Sequence, residues 1–122
     1  MTSRAAIWNI LGRFEIYQSP KNKQFYFRLK ARNHQIILAS EGDKTKASCK
    51  NGIKSVQKNA VDDANFQLKE AKNGKLYFTL DARNSEVIGS SQMYASKATR
   101  RKGIRSVIAN APSAQVEDLI AT

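Results

Sequence analysis

Basic side chains recur at intervals of four in two stretches of this sequence, which places each row along one face of a helix. The first row is Lys46, Lys50, Lys54 and Lys58, and the second is Lys97, Arg101 and Arg105. Like charges at this spacing repel one another, so helix stability does not explain either row. Each row can follow a phosphate backbone and release its counterions on binding. The alternative is that the rows are simply solvated helix faces.

A second basic surface is predicted on the strands. Residues 24–32 alternate in polarity, and an apolar side facing the core leaves tyrosines and cations on the open side. These side chains, together with one from the preceding strand, are Tyr17, Tyr26, Arg28, Lys30 and Arg32, with Lys69 and Tyr77 joining them from further along the chain. Tyrosines among basic residues suit the stacking of bases and the contact of phosphates in single-stranded nucleic acid. The alternative is that these residue types favour any solvated strand.

Enzyme chemistry is not predicted. The chain has one histidine, His34, and one cysteine, Cys49, and nothing in their spacing brings them within hydrogen-bond reach. Zinc sites usually take three or four ligands, and the six glycines are scattered and form no phosphate-binding loop. We therefore expect no catalytic residues, no metal and no cofactor.

Composition favours a polyanionic partner. The 122 residues are 41% hydrophobic and 25% charged, as in an ordinary folded domain, and carry a formal net charge of +11. Nucleic acid is the commonest large polyanion in a cell, with acidic proteins, ribosomes and anionic membranes as rivals. Residues 1–61 have 12 Lys and Arg against 3 acids, and residues 62–122 have 9 against 7. The first half of the chain is therefore the expected anion-facing half.

Cysteine use and hydropathy bear on location. A single cysteine cannot form an intramolecular disulfide, which fits a reducing compartment. The apolar run at the start of the chain, which includes Trp8, is too short for a signal peptide, and no segment approaches a membrane span. We expect a cytoplasmic protein without a membrane association.

The elements that must position these side chains occur twice. Residues 26–60 reappear as residues 77–111, shifted by 51 positions, with 16 identities among 35 pairs. Both copies contain aromatic-Phe-x-Leu-x-Ala-Arg-Asn, and both end in Gly-Ile-x-Ser-Val-x-x-Asn-Ala. We predict an N-terminal extension at 1–12, a first repeat at 13–63 and a second repeat at 64–122 that share one core.

Each repeat is predicted to have three strands, a helix and a further strand. The periodicity predicts strands at 13–18, 24–32, 35–40, 65–70, 76–82, 86–90 and 115–119, and helices at 45–59 and 96–109. We expect Asn33 to take the left-handed conformation of its turn, and Asn73-Gly74 to form a two-residue hairpin loop. Gly52 and its counterpart Gly103 indicate that each helix approaches the sheet closely. The predicted class is α+β, with both helices on one face of an antiparallel sheet.

These motifs resemble the YegP-like family. The resemblance rests on the Phe-x-Leu-x-Ala strand, the Gly-Ile-x-Ser-Val helix and the segment Ile88 to Tyr94, and it covers roughly residues 13–119. It implies a tandem β3-α-β unit whose two copies form one sheet and exchange their C-terminal strands. It implies no activity, because the family is a set of small bacterial proteins without an established function. The first repeat has Asp43 where the second has Tyr94, so any site built on that aromatic would exist only once.

Two functions remain open from the sequence. The favoured one is a non-catalytic module that binds DNA or RNA without sequence preference. The alternative is a protein-interaction or structural module that uses exposed sheet edges, Trp8 and the N-terminal apolar residues. The sequence leaves undecided whether the protein is a monomer or a homodimer, and whether Tyr94 packs or functions, although packing is the commoner role of such a residue.

Overall fold

The structure is a computed structural model that describes residues 12–120. The predicted N-terminal extension, including Trp8, lies outside the described residues except for Gly12. The strands are β1 (Arg13–Gln18), β2 (Phe25–Lys30), β3 (Ile36–Ala39), β4 (Phe66–Glu70), β5 (Leu76–Asp81), β6 (Val87–Ser90) and β7 (Gln115–Asp118), and the helices are α1 (Lys46–Asn59) and α2 (Lys97–Asn110). Short 3-10 turns at Asp63–Asn65 and Ala111–Ser113 lead into β4 and β7.

The four hairpin turns share one design. In each turn an asparagine side-chain oxygen accepts the backbone N–H two residues later, and the residue between them is left-handed. The left-handed residues are Lys23, His34, Gly74 and Ser85. The expectation for Asn33 was therefore wrong, because its side chain is committed to the Gln35 N–H and the next residue takes the positive φ. The Asn73-Gly74 loop has three residues rather than two, closed between Ala71 and Lys75.

Both helices begin at a capping side chain. Thr45 accepts the N–H of Ser48, and Ser96 forms a reciprocal capping box with Thr99, which satisfies otherwise unpaired N–H groups of the first turn. A Cβ on Gly52 would lie 3.0 Å from the Phe27 ring, and one on Gly103 would overlap the Tyr94 hydroxyl. The close approach of helix to sheet predicted from these glycines is confirmed.

The strands form one seven-stranded sheet in the order β4-β5-β6-β3-β2-β1-β7. Each half of the sheet is a three-stranded antiparallel meander, and the halves meet where β3 pairs with β6. The strand after α1 pairs with β5, and the strand after α2 pairs with β1, so the predicted exchange of strands is confirmed. One detail differs: β7 runs parallel to β1, because β6 runs opposite to β1 and the crossover through α2 reverses the chain again.

The core lies between the sheet and the two helices. Phe14 packs edge-on against Phe27 with ring centroids 5.9 Å apart, and Phe66 repeats the contact with Phe78 at 5.7 Å. The largest fully buried side chains are Phe14, Phe27, Phe78, Ile16, Leu29, Leu38, Ile53, Leu80, Ile104, Val56 and Val107. The seven on strands face the helices and the four on helices face the sheet, which confirms the predicted two-layer α+β architecture and leaves the other sheet face open.

Candidate nucleic-acid interface

In the part of the chain that the structure describes, the lysine row of α1 offers the most unpaired cations of the predicted basic surfaces. Helix geometry places Lys46, Lys50, Lys54 and Lys58 along one side of α1, next to the buried face that carries Cys49, Ile53 and Val56. Lys46 is held in an ion pair with Asp118 of β7. The other three lysines are exposed, and within residues 12–120 they form no ion pair. The row therefore offers three available cations.

The row continues into a cleft between the end of α1 and the turn that joins β5 to β6. The residues that line this cleft are Lys54, Ser55, Lys58, Asn59, Ala82, Arg83 and Asn84. Three of them are cations and none is acidic. Ser55, Asn59 and Asn84 add polar groups, so the cleft has the chemistry of a phosphate-binding groove.

Local hydrogen bonds hold both walls of this cleft. Asn59 donates its side-chain N–H to the Ser55 carbonyl at 2.8 Å, which anchors the last turn of α1. On the other wall, Asn84 accepts the N–H of Glu86 at 3.1 Å and fixes the turn that carries Arg83. Arg83 was not among the predicted site residues. The repeated Ala-Arg-Asn motif was the available signal, but only the tertiary fold shows that the turn of one repeat faces the helix of the other.

On the open sheet face of the first half, a buried carboxylate neutralises the strand cations. Glu15 of β1 is 4% exposed and accepts hydrogen bonds from Arg28 at 2.8 Å, from Lys30 at 3.1 Å and from Arg13 at 3.2 Å. Burial alone would raise the pKa of the Glu15 carboxyl, but these three cationic donors together lower it below its ordinary value. Arg28 and Lys30 are therefore bound to a carboxylate instead of facing solvent as free cations.

The two tyrosine rings of this face stack on each other. Tyr17 and Tyr26 stack with centroids 5.5 Å apart and an interplanar angle of 15°, and the Arg28 guanidinium lies 4.8 Å from the Tyr17 centroid. Both rings are half-buried, so part of the stacking surface is already used. Arg32 is not on this face: β2 ends at Lys30, and Arg32 lies exposed in the following turn. The grouping of Arg32 with the strand residues was wrong because the turn begins two residues earlier than the alternation indicated.

Within residues 12–120, the basic row on α2 has two exposed cations without an ion pair, Lys97 and Arg105, where the row on α1 has three. Arg101 of α2 donates to Asp63 at 3.0 Å, and Arg105 is exposed. On the open face, β5 carries Thr79 hydrogen-bonded to Asp81, at the positions that correspond to Arg28 and Lys30. The predicted concentration of charge in the first repeat is reduced in space, because β7 brings Glu117 and Asp118 onto that half.

The side chains considered for other chemistry have packing or turn roles. Cys49 is buried, and desolvation together with the nearby Asp43 raises the pKa of its thiol to about 11, which disfavours a reactive thiolate. His34 lies exposed in a hairpin turn. Tyr94 stacks on Phe78 with centroids 6.2 Å apart beneath Gly103, so its role here is packing.

Within the described residues there is neither a metal-binding cluster nor a membrane-spanning helix. Between Gly12 and Ile120, the histidine, cysteine and carboxylate side chains form no group of three or more that could hold a metal ion. Over the same residues no helix has the length and apolar character needed to cross a membrane.

A family model described as a domain of unknown function, DUF1508, matches the chain twice, at residues 21–67 and 71–118. The chain belongs to this family. The DUF1508 repeats match the tandem architecture seen in the sheet, and the family has no established function.

Relatives in the family are similar over nearly their whole length. The chain is 53% identical to a UPF0339 protein encoded near the ptx operon of Stutzerimonas stutzeri over 88% of this chain and 96% of that one. It is 55% identical to a UPF0339 protein of Acinetobacter baylyi with the same coverage. The solution structure of yegP from E. coli, a protein of unknown function, is 44% identical and superposes with a TM-score of 0.86 over 93% of this chain and 97% of that one. The predicted resemblance to the YegP-like family is confirmed.

Proposed function

We propose that this protein is a non-catalytic module that binds nucleic acid without sequence preference through α1 and the cleft beside it. The observation that carries the proposal is the acid-free cleft lined by Lys54, Lys58 and Arg83, which extends the row begun by Lys50. These four cations come from a helix face and a turn tip, so they follow a line along the surface instead of surrounding a closed pocket. A line of cations suits a polymer of phosphates better than a single small anion.

The proposal gives the sheet face a smaller part. Arg28 and Lys30 would have to leave Glu15 before they could contact phosphate, and this exchange offsets much of the gain. We therefore place the main contacts on the helix-covered side of the molecule. The absence of an element shaped to enter a groove among the described residues favours contact with the backbone over contact with bases.

Fluorescence anisotropy of labelled single-stranded DNA, single-stranded RNA and duplex DNA, titrated at several salt concentrations, tests the proposal. Four phosphate contacts predict a slope of about −3 in log K against log salt for single strands, since each contact contributes about −0.7. Substituting Lys54→Glu with Lys58→Glu should weaken binding by about tenfold or more and flatten that slope by about 1.5.

The matched control changes the same net charge elsewhere. Lys72 and Lys75 are exposed lysines in the β4–β5 turn, away from the cleft residues, so Lys72→Glu with Lys75→Glu should weaken binding by about twofold at most. Equal losses in the two double variants would show only a general charge effect and would contradict the assignment of the site. A dominant effect of Tyr26→Ala would move the interface to the sheet face. If no probe binds near physiological salt, nucleic-acid binding is excluded.

A further inference from the structure

The outer strands of the two three-stranded meanders, β1 and β4, are similar, but only β1 is paired with a further strand in the described chain. β1 and β4 are counterparts, since Phe14 and Ile16 lie opposite Leu29 and Phe27, as Phe66 and Leu68 lie opposite Leu80 and Phe78. The outer side of β1 is paired with β7 over four residues. The outer side of β4 has no strand against it among residues 12–120.

Backbone directions show that the β4 edge offers the same hydrogen-bonding groups as the β1 edge. Leu76 exchanges both of its backbone hydrogen bonds with Tyr94, so its polar groups point away from β4. Its partner Glu70 is therefore in a non-hydrogen-bonded pair, and alternation directs the N–H and C=O of Leu68 and Glu70 outward. The corresponding group in the first half, the Ile16 carbonyl, accepts from the Leu119 N–H at 2.9 Å.

The exposure of equivalent side chains also differs between β1 and β4. Ile16 is 0% exposed beneath β7 and α1, whereas its counterpart Leu68 is 52% exposed although it points to the helix side of the sheet. A core-facing leucine left half in water is the position that an added strand would cover.

The electrostatics define the chemistry of that strand. On the first half, β7 places Val116 opposite Phe14 and Asp118 opposite Ile16, and Asp118 is held by Lys46, the first residue of α1. The first residue of α2 is Lys97, which is exposed and forms no ion pair within the described chain. Lys97 is therefore available to form an ion pair with an acidic side chain opposite Leu68.

We propose that the outer edge of β4 binds an extended segment of a partner protein as an eighth strand parallel to β4. The segment would carry an apolar residue opposite Phe66 and an acidic residue two positions later, opposite Leu68 and within reach of Lys97. The β7 segment on β1 is the internal template for its direction, register and side-chain pattern. This inference uses a different surface from the proposed nucleic-acid interface and does not depend on it.

The experiment uses a capped synthetic peptide with the sequence of residues 113–120 as the probe, added to the full-length 15N-labelled protein. We expect NMR shift changes at the amides of Leu68 and Glu70 and in the first turn of α2. A four-residue strand buries little surface, so the expected Kd is about 0.1–1 mM. Hydrogen exchange of the Leu68 amide should slow when the peptide is bound.

Variants separate a built site from general adhesion. Leu68→Lys and Lys97→Glu each change an exposed side chain and should weaken binding about fivefold or more, whereas the control Lys102→Glu, on the same helix, should change it less than about twofold. A peptide with lysine in place of the residue matching Asp118 should bind at least about fivefold more weakly to the unmodified protein.

Three results would overturn the proposal. One is no response at residues 66–70 up to about 2 mM peptide. Another is a response confined to residues 13–18, which would mean that the peptide only exchanges with β7. The third is protection of the Leu68 amide in the protein alone, which would mean that the edge is already covered by the chain itself or, if concentration-dependent, by a second copy.

Discussion

The two halves of this molecule have the same core but different surfaces and edges. Core positions keep the same or similar residues in both copies, as in Phe27 and Phe78 or Val56 and Val107. The open sheet faces of the two halves differ: Glu15 binds three cationic side chains in the first half, while its counterpart Gln67 is exposed in the second. Packing therefore constrains the residues that both copies share, while the side chains of each edge and open face can differ between the copies.

The core differs where the halves meet, and this junction carries the largest expected effect. Leu38 on β3 and Gly89 on β6 are counterparts, and a Cβ on Gly89 would lie 2.7 Å from Leu38 Cγ. One position is large because the other is small. Leu38→Ala should cost about 3 kcal/mol of unfolding free energy as a cavity, and Gly89→Ala about 2 kcal/mol as overpacking.

The double variant Leu38→Ala with Gly89→Ala tests whether the two residues share one space, because alanine at position 38 makes room for the new methyl group at position 89. Urea unfolding should show the combined cost to be smaller than the sum by about 1 kcal/mol or more. Strictly additive costs would mean that the two residues do not share one space.

The Glu15 cluster should give the next largest effect. Glu15→Gln removes the charge that three cations share and should cost about 2 kcal/mol at neutral pH, measured by urea unfolding. Gln67→Glu, the matched change in the second half, should alter stability by less than about 0.5 kcal/mol because that side chain is exposed. Equal costs at the two positions would contradict the proposed difference between the open faces.

The pH dependence of this cost follows from the lowered pKa of Glu15. A carboxyl whose pKa is depressed by folding contributes stability that is full above its unfolded pKa of about 4.3 and is lost as pH falls through the folded value. The difference between wild type and Glu15→Gln should be constant above about pH 5.5 and shrink below about pH 4. A difference that persists unchanged to low pH would show that charge is not its source.

A smaller effect on stability is expected at Arg100, which is the counterpart of Cys49 in the second repeat. Arg100 is 7% exposed and donates to the Lys69 carbonyl at 3.0 Å, so its guanidinium ties α2 to β4. Arg100→Met keeps the apolar stem but loses this bond, and should cost about 1 kcal/mol in thermal or urea unfolding. Arg101→Met, which loses a mostly exposed ion pair, should cost less than about 0.5 kcal/mol. The reverse order would place the tie between α2 and β4 at Arg101.

The smallest effect concerns the ion pair that holds β7. The hydrogen bond from Lys46 lowers the pKa of the Asp118 carboxyl, and the backbone N–H of Ile120 adds to it. Lys46→Ala should raise hydrogen exchange of the Leu119 amide by about 1.5- to 5-fold, as expected for an exposed pair. Lys97→Ala is the matched control and should leave that amide unchanged. If both variants loosen Leu119, β7 is not held locally by Lys46.

The sequence predicted the elements well because their signals are local. The period-two strand of residues 13–18, the helical spacing of Cys49, Ile53 and Val56, and the capping residues depend on near neighbours alone. The errors fell at turns: Arg32 was assigned to a strand, and the left-handed conformation to Asn33 instead of His34. Competing hydrogen bonds of a few residues decide such turns, and residue type alone does not resolve them.

The candidate site was predicted only in part for a different reason. The lysine row on α1 follows from its spacing, but the position of Arg83 across from Lys58 depends on the pairing of β3 with β6, which joins the two halves. Likewise Glu15 was visible as an outward strand residue, yet its three partners come from β1 and β2 together.

Three features follow from the amino-acid sequence alone: the duplicated α+β unit, the apolar faces that form its core and the excess of positive charge. These follow from periodicity and composition, which any local reading of the chain contains. The folded structure was needed to show which cations are neutralised, which cations line a cleft and which sheet edge is left open. Those outcomes depend on side chains from different strands and helices meeting in space, because the two repeats pair into one sheet over one core.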